Sequence, residues 1–554
     1  MTWRRKSYEV LPALSVRREE LRRNLRCITV AWMYGVVWMV CVTGSRLTNF
    51  AAMLGFDDFA FGVLGAIPFF ARFGQLAAAV LVERTGLRKH QFLDCATLHR
   101  GLWLVVACIP LVGRLFGLPL PGKWAVWLML VALTASWLGD AFAAPAWFSW
   151  MGDIIPRRIR GRYMANRTIL SMIVKIPVVI ALGVWADSVV VEGAPMTADA
   201  QPALVRAIAI MFALAAAFGM ADILTFRKMR EIAPSTGAEP RRPAIDIRVP
   251  YVPGRAVDSR LVYTARYLRV AGDQLLLGPL RDAVFRRTVL CMAVITFAMT
   301  AAGAFCYLYI LRSLGCSQLA ADTLFMVFGP IVGMLSSRLW GRIIDKHGRR
   351  PALMLGMMCT SVSLLPYFFA MRHTPNPPFV GEAVNWVAFT VAGWFGQSVQ
   401  PVITDASPVG AYLVMFASVL FGGVGWMGVG LGQTSIMLGF SDGQGRSKYV
   451  AAFNVIASIG GLLGGLAGGA LAKGLSYYSH DGNPLVFGYF VFNNWHATFL
   501  LSWAARILGL VLLIRMPDPG STPLRKVMAD LGGGFLRRLS GPFGRRAKAG
   551  RIGS

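Results

Sequence analysis

Residues 341–350 read GRIIDKHGRR and sit between two apolar runs, near 319–341 and 351–371. A run of about 20 apolar residues matches a hydrocarbon layer of roughly 30 Å. The two runs therefore predict a pair of membrane-crossing helices joined by a short basic turn. Lys and Arg gather in cytoplasmic loops, which places this turn on the cytoplasmic side.

Working outward, the same pattern occurs earlier. LVERTGLRK at 81–89 matches IIDKHGRRP at 343–351: Glu83 and Arg84 align with Asp345 and Lys346, Gly86 with Gly348, and Arg88 with Arg350. RYMAN at 162–166 likewise answers KYVAA at 448–452, at a larger offset that requires an insertion in the second half. Apolar runs lie near 27–46, 59–82, 92–113, 124–150, 168–190 and 204–226, then near 287–311, 319–341, 351–371, 409–438, 450–473 and 487–514. Backbone groups in lipid must be satisfied internally, so these runs are expected to be helices. Barrel strands would give shorter, alternating patterns.

The expected fold is an all-α membrane protein of twelve helices in two pseudo-symmetric six-helix bundles. The bundles span 27–226 and 287–514, joined by a cytoplasmic linker at 227–286. Basic cytoplasmic tails occupy 1–26 and 515–554, and an insertion lies at 372–409. Within it, a hydrophobic segment near 383–401 (VNWVAFTVAGWFGQSVQPV, 384–402) is apolar enough to span. A single crossing would turn the later basic loops outward, so a re-entrant segment, a surface helix or an external cap is expected.

Composition agrees. Of 554 residues, 56% are hydrophobic and 15% charged, against about a quarter charged in soluble chains. A net charge of +29 would suit a nucleic-acid binder, but most of the 56 Lys and Arg residues fall in the tails and alternate loops. That is a topological bias, and it also suits contact with anionic lipid headgroups. Eight Cys residues lack metal-ligand spacing, and six His residues, at 90, 99, 347, 373, 480 and 496, form no cluster. No cofactor, metal or catalytic constellation is implied, and the chain does not read as an enzyme. The start, MTWRRKSYEVLPALSVRREELRRNLR, is too long and too charged for a usual signal peptide, so the first span is expected to be retained.

The segment 341–350 closely resembles the cytoplasmic signature between helices 2 and 3 of major facilitator superfamily transporters, through Gly341, Arg342, Asp345, Gly348, Arg349 and Arg350. The first-half copy is degenerate, with Ala79 in place of the first Gly and Glu83 in place of Asp. DIIPRRIRGRYMANR at 153–167 is similar to the loop between helices 4 and 5 of bacterial members. The resemblance implies a gating role for these residues and for Arg84, Gly86, Arg88, Asp153, Arg160, Gly161, Arg162 and Arg167. On physical grounds, Gly341 would let helices approach closely. Asp345 would accept hydrogen bonds at the cytoplasmic face or pair with Arg from the adjacent loop. Gly348 would permit a tight turn that Arg349 and Arg350 anchor. The fifth span lacks the repeated-Gly and Gly-Pro signature of drug and proton antiporters in that superfamily.

Charges at membrane depth are costly and tend to be paired or functional. Arg72 lies near the middle of the second span, Asp140 near the middle of the fourth, and Lys175 about two turns into the fifth. Arg72 and Asp140 could meet as an ion pair, to serve as a structural bridge, a substrate contact or a proton-coupling device; whether they face one another is left open by the sequence. Gln433, Asn454 and Gln397 are polar candidates near the Gly-rich helices 10 and 11, where FGGVGWMGVGLGQ runs from 421 to 433. Arg506 is expected to snorkel, and Arg46, Asp57 and Asp58 to flank a solvated turn. Tyr307, Trp394, Trp426 and Trp503 are candidates for an aromatic cavity wall or for interfacial anchors.

The expected function is monomeric secondary transport, in a bacterial inner membrane, of a small polar or amphipathic solute. An excess of basic groups at depth leans towards an anion, with coupling to protons as a further expectation. The alternatives are a non-transporting receptor or scaffold, and a lipid-handling membrane protein.

Overall fold

The computed structural model describes residues 18–229, 272, 277–394, 407–439, 446–480 and 483–530, apart from positions 86, 156, 192 and 519. Among these, twelve helices are long and apolar enough to cross a membrane. The first six are α1 (Glu19–Val42), α2 (Asp58–Ala78), α3 (Arg88–Leu115), α4 (Lys123–Met151), α5 (Asn166–Ser188) and α6 (Pro202–Phe226). The second six are α7 (Ala283–Ser313), α8 (Gln318–His347), α9 (Arg349–Phe369), α10 (Val409–Met437), α11 (Ala452–Leu475) and α12 (Asn494–Ile514). Large apolar side chains such as Leu335, 75% exposed, cover the outside. Such a surface suits acyl chains and would be a liability in water.

Local chemistry sets the helix ends. The side chains of Asp57 and Ser317 accept from Ala60 N and Ala320 N, capping α2 and α8. Asn493 and His496 form a reciprocal capping box at α12. Gly348, at φ +95°, separates α8 from α9 in a conformation that a side chain would strain. Pro330 cannot donate to Met326 and its ring crowds that carbonyl, and the turn before it widens to a π-helix over Thr323–Phe328.

Three boundaries differ from the sequence reading. The first span ends at Val42 rather than 46, because Gly44 (φ +76°) breaks it and a separate helix, Ser45–Met53, begins. The last begins at Asn494 rather than 487: β1 (Leu485–Phe487) and β2 (Phe490–Phe492) pair antiparallel about Gly488. That stretch is apolar, but its aromatic and β-branched residues suit a strand. From the insertion, Pro378–Trp394 forms a helix shorter than any of the twelve spans, with Phe379, Trp386 and Phe389 exposed. Its continuation through 401 lies outside the described residues, as does most of the linker, 230–271 and 273–276.

In the first half, α1 packs on α5 and α6, α3 on α4 and α6, and α2 on α4. In the second, α7 packs on α11 and α12, α9 on α10 and α12, and α8 on α10. The halves meet mainly through α2 on α11 and α5 on α8. Their apolar cores are distributed unevenly along the helices. At the distal end, opposite the start of α1, one continuous core joins Phe50, Trp103 and Phe212 of the first half to Phe305, Tyr367 and Phe499 of the second. At the proximal end the cores are separate: one is built on Ile28, Phe92 and Trp150, the other on Phe285, Met357 and Phe453. The halves are fused distally and parted proximally.

Candidate functional site

The distal seal rests first on the sequence of α11, where glycine pairs recur every four residues: 460/461, 464/465 and 468/469. Neighbouring positions on a helix point about 100° apart, so the pairs form two stripes. Gly460, Gly464 and Gly468 lie against backbone of α7 in their own half, at Ala293, Phe297 and Ala301. Gly461, Gly465 and Gly469 lie against α2 of the other half. A Cβ on Gly465 would stand 2.9 Å from Gly62 O and 3.0 Å from Ala66 N, and one on Gly62 would stand 2.5 Å from the Cα of Gly469.

Ionic contacts rim this packing. Arg46 Nη1 donates to Asp322 Oδ2 at 2.8 Å, with both side chains 0% exposed. Ser45 adds its N–H to Oδ1 (3.0 Å) and its hydroxyl to Oδ2 (2.6 Å), while Arg46 Nε donates to Val40 O. Buried charges persist when their hydrogen bonds are satisfied in this way. The sequence reading of Arg46 as part of a solvated turn is therefore corrected: its guanidinium is enclosed between the halves. Asp187, at the end of α5, accepts from Gln318 N and Leu319 N (2.8 and 2.9 Å) at the start of α8. Asp58 accepts from Trp495 Nε1 and Asn494 Nδ2 (2.8 and 2.6 Å), so it too bridges the halves.

Asp57 meets Lys473 at 2.7 Å on the rim, where both side chains are about half exposed. Burial works to raise its pKa, but hydrogen bonds from Lys473 and the Ala60 N–H outweigh it, and the carboxyl is held below its ordinary value. A depressed carboxyl stabilises above about pH 3.9, its unfolded value, and that contribution is lost only as pH falls through the lowered one. This contact should accordingly be unchanged between about pH 8 and 5. Exposed pairs contribute at most about 1 kcal/mol. Lys473→Gln should raise distal thiol-reagent accessibility, read at an introduced cysteine, by less than about fivefold; a larger rise would make the rim pair a principal latch.

The first half holds a cavity of about 440 Å³ with His99, Arg100, Asp140, Arg167 and Asp222 on its otherwise apolar wall. On α3, Arg100 pairs with Asp222 of α6 (Nη2 to Oδ2, 3.1 Å) and stacks 3.5 Å from the Trp38 ring. His99 Nδ1 donates to Ser136 O (2.9 Å) and lies 2.8 Å from Ser136 Oγ, whose hydroxyl donates back to His99 O. With the Nδ1 proton so placed, Nε2 faces Asp140 at 3.9 Å, and these two pair ionically only when His99 carries a second proton. Asp140 is 46% exposed to the cavity. Arg167 caps it, 4.5 Å over Trp32 and 5.8 Å from Trp147.

Among the described ion pairs none joins Arg72 to Asp140. Arg72 is exposed where α2 breaks, over the Phe69 ring at 5.0 Å, and acts on Asp140 only through space. Asp140 has His99 as its ion-pair-distance neighbour instead, while Arg72 lies over Phe69 of its own helix. Lys175 is buried beside a smaller cavity shared with Trp32 and Arg167. Gln433 and Asn454 are half-buried on α10 and in α11, and neither lines a cavity described here. Tyr307 and Trp503 pack against the distal core.

Of the signature residues, Arg342 and Asp345 are exposed, with no hydrogen bond or ion pair among the described residues. The acceptor expected of Asp345 is Asp518, whose Oδ2 takes the N–H groups of Arg349 and Arg350 at 3.0 Å each. Arg350 Nη2 donates to Ile514 O. A Cβ on Gly341 would meet nothing within 4 Å, so it marks no close helix approach; Gly423, 2.8 Å from Gly329 O by the same measure, does. In the first half Arg88 donates to Ser149 Oγ at 3.1 Å. Gly86 and Gln397 fall outside the described residues, as do the side chains of Glu83, Arg84, Asp153, Arg160, Arg162 and Trp394, while Gly161 lies within a helix.

Sequence reasoning passed over Arg100, Asp222 and Asp322 although each lies inside a run it had marked as spanning. A charge within such a run was the available signal. It also read Arg506 as snorkelling, whereas the residue is 4% exposed on the wall of a second-half cavity of about 640 Å³.

A family model described as Major Facilitator Superfamily matches residues 32–412. Among solved structures, a mutant of the nucleoside transporter NupG is similar over 89% of this chain and 99% of its own, at 10% identity and TM-score 0.59. A D-xylose-proton symporter is similar over 91% and 100%, at 13% identity and 0.55. The xylose transporter XylE from E. coli is similar over 91% and 100%, at 11% and 0.51. At such identities the likeness is one of fold. No curated protein sequence matches the chain.

Proposed function

Because this chain belongs to the Major Facilitator Superfamily, and so is a multi-pass membrane transporter rather than an enzyme, we propose that it carries a small polar or amphipathic anion by rocking two six-helix bundles about a central passage. The observation that carries this reading is the uneven core, continuous between the halves distally and divided proximally. Alternating access needs such a seam at one end, to be exchanged for one at the other. Helix pairings in one half recur six helices on, and α2 on α11 answers α8 on α5, as a two-fold relation would require. Tyr163 hydrogen-bonds Thr29 near α1, and Tyr449 packs 4.9 Å from Phe285 on α7. These support the repeat seen in RYMAN and KYVAA.

The basic loops support a cytoplasmic proximal face, and on that reading this state faces inward, with both termini cytoplasmic in what we take to be a bacterial inner membrane. The unengaged Arg342 and Asp345 fit a proximal latch that is open while the distal seal is shut. We assign solute or proton contact to Arg72, Asp140 and Lys175, with Gln433 and Asn454 approaching from the second bundle as it closes, in a monomer surrounded by lipid. Reconstituted protein should accumulate members of a metabolite panel in vesicles; panel members that bind and stabilise without flux would sink the reading. For coupling, Asp140→Asn should flatten the dependence of uptake on pH, since it removes the carboxylate that faces His99 in the cavity. An unchanged profile would remove Asp140 from coupling.

A further inference from the structure

Two enclosed arginines have a carboxylate at ion-pair distance: Arg46 has Asp322, and Arg100 has Asp222. Arg506 on α12 is as deeply enclosed and has none among the described residues. Its Nη1 donates to Thr360 O and lies 3.4 Å from Ser363 Oγ, both neutral acceptors, and its Nε has no hydrogen-bond partner among the described residues. The ionisable groups that act on it through space are the thiol of Cys306 and the phenol of Tyr367, uncharged at neutrality in their ordinary ranges. A buried charge without a counter-ion is costly, so a fold that keeps one has a use for it. The guanidinium lies 5.1 Å from the Trp426 ring at the wall of the 640 Å³ cavity. The rest of that wall carries no charge: it is mainly apolar or small, with Phe325, Leu364, Val419, Met427 and Gly430, and the hydroxyl-bearing Ser418, Thr434 and Tyr367 are its polar members.

We infer that this second-half cavity binds an organic anion with an apolar body, its carboxylate, sulfonate or phosphate meeting Arg506 and its body lying along Trp426 and Gly430. The volume is that of a small-molecule site, with one charged group to orient the ligand and apolar walls to hold it. An anionic solute and the headgroup of an anionic lipid share this chemistry. The inference deepens the transport reading by naming the class of cargo and rests on that reading for this alone, since binding is measurable without flux.

The test uses the full chain in nanodiscs of neutral phosphatidylcholine, titrated calorimetrically with phenylbutyrate, phenylbutanol and phenylbutylamine. Saturable binding of phenylbutyrate alone is expected, because only it supplies the missing charge. Arg506→Gln should weaken it by about tenfold or more, the loss of a charge-assisted contact. Gly430→Leu is the second variant. A Cβ there meets nothing within 4 Å, so it should fold normally, fill the cavity and abolish binding while leaving Arg506 in place. Adding phosphatidylglycerol distinguishes the sources: Arg506-dependent displacement of phenylbutyrate assigns the site to lipid, and unaffected binding assigns it to solute. Equal binding of the alcohol and the acid, or binding indifferent to both substitutions, would overturn the site. Arg506-dependent binding without flux of phenylbutyrate would leave the site standing and remove such anions from the proposed cargo, whereas flux indifferent to Arg506 would keep them as cargo and remove this site from their path.

Discussion

Asp322→Ala is expected to open the distal face. The substitution leaves Arg46 charged, enclosed and without its carboxylate, and breaking a buried pair in this way costs about 3–5 kcal/mol. Because the two side chains come from different halves, that cost falls on the distally closed state and not on either half alone. The distal-open population should rise by two orders of magnitude or more, since each 1.4 kcal/mol is tenfold. Distance measurements between spin labels on the distal ends of α2 and α11 would read the separation, and uptake should fall in parallel. Arg46→Met combined with Asp322→Leu separates charge from packing. An apolar pair of similar volume is often neutral or better, so the double variant should close again and yet transport poorly, its seam now too favourable to part. If Asp322→Ala left the distances unchanged, the pair would be a bystander.

Gly465→Val is expected to have the complementary effect through sterics. The new side chain would be forced into the backbone of α2 at Gly62 and Ala66, and backbone, unlike a flexible side chain, has little room to give. Overpacking usually costs 1–3 kcal/mol and more where nothing yields, so roughly a hundredfold loss of the closed state follows. The protein should still fold, because α2 and α11 belong to different halves and can part. Gly464→Val, one residue away, is the control. It faces Phe297 and Thr300 of α7 within its own half, so it should lower thermal stability rather than reset the equilibrium between states. The hypothesis predicts opposite signatures from adjacent glycines: transport lost in a stable protein for one, and stability lost for the other. Identical behaviour would refute it.

The fold was legible because lipid imposes a coarse requirement on sequence: run length and loop charge suffice to place helices, and all twelve apolar runs correspond to spans. Exceptions arose where a local device overrode hydropathy. Gly44 ends α1 early, and strand-forming residues at 485–492 look as apolar as a helix. The candidate site was less legible. Finding a charge at depth is a one-dimensional observation, but naming its partner requires knowing which way two helices face. Asp140 was found and its neighbour was not, since His99 belonged to a run read only for its greasiness. Arg46 and Asp322 lie far apart in sequence, and nothing in either segment announces the other. The glycine pairs of α11 were visible as composition, but that one stripe serves cohesion and the other movement emerges only from what each stripe touches.

The carboxyl-terminal segment, read from sequence as a basic tail near lipid, is docked instead over residues 515–530. Asp518 holds the backbone of Arg349 and Arg350, Thr522 N donates to His347 O at 2.9 Å, Asp530 meets Lys346 at 3.0 Å, and Val527 is fully enclosed beside Trp340 and Ile343. That stretch must ride with the half it grips, as a pointer fixed to one arm of a balance. A fluorophore placed just after it would report the swing of that arm through each turnover, with no label inside the bilayer.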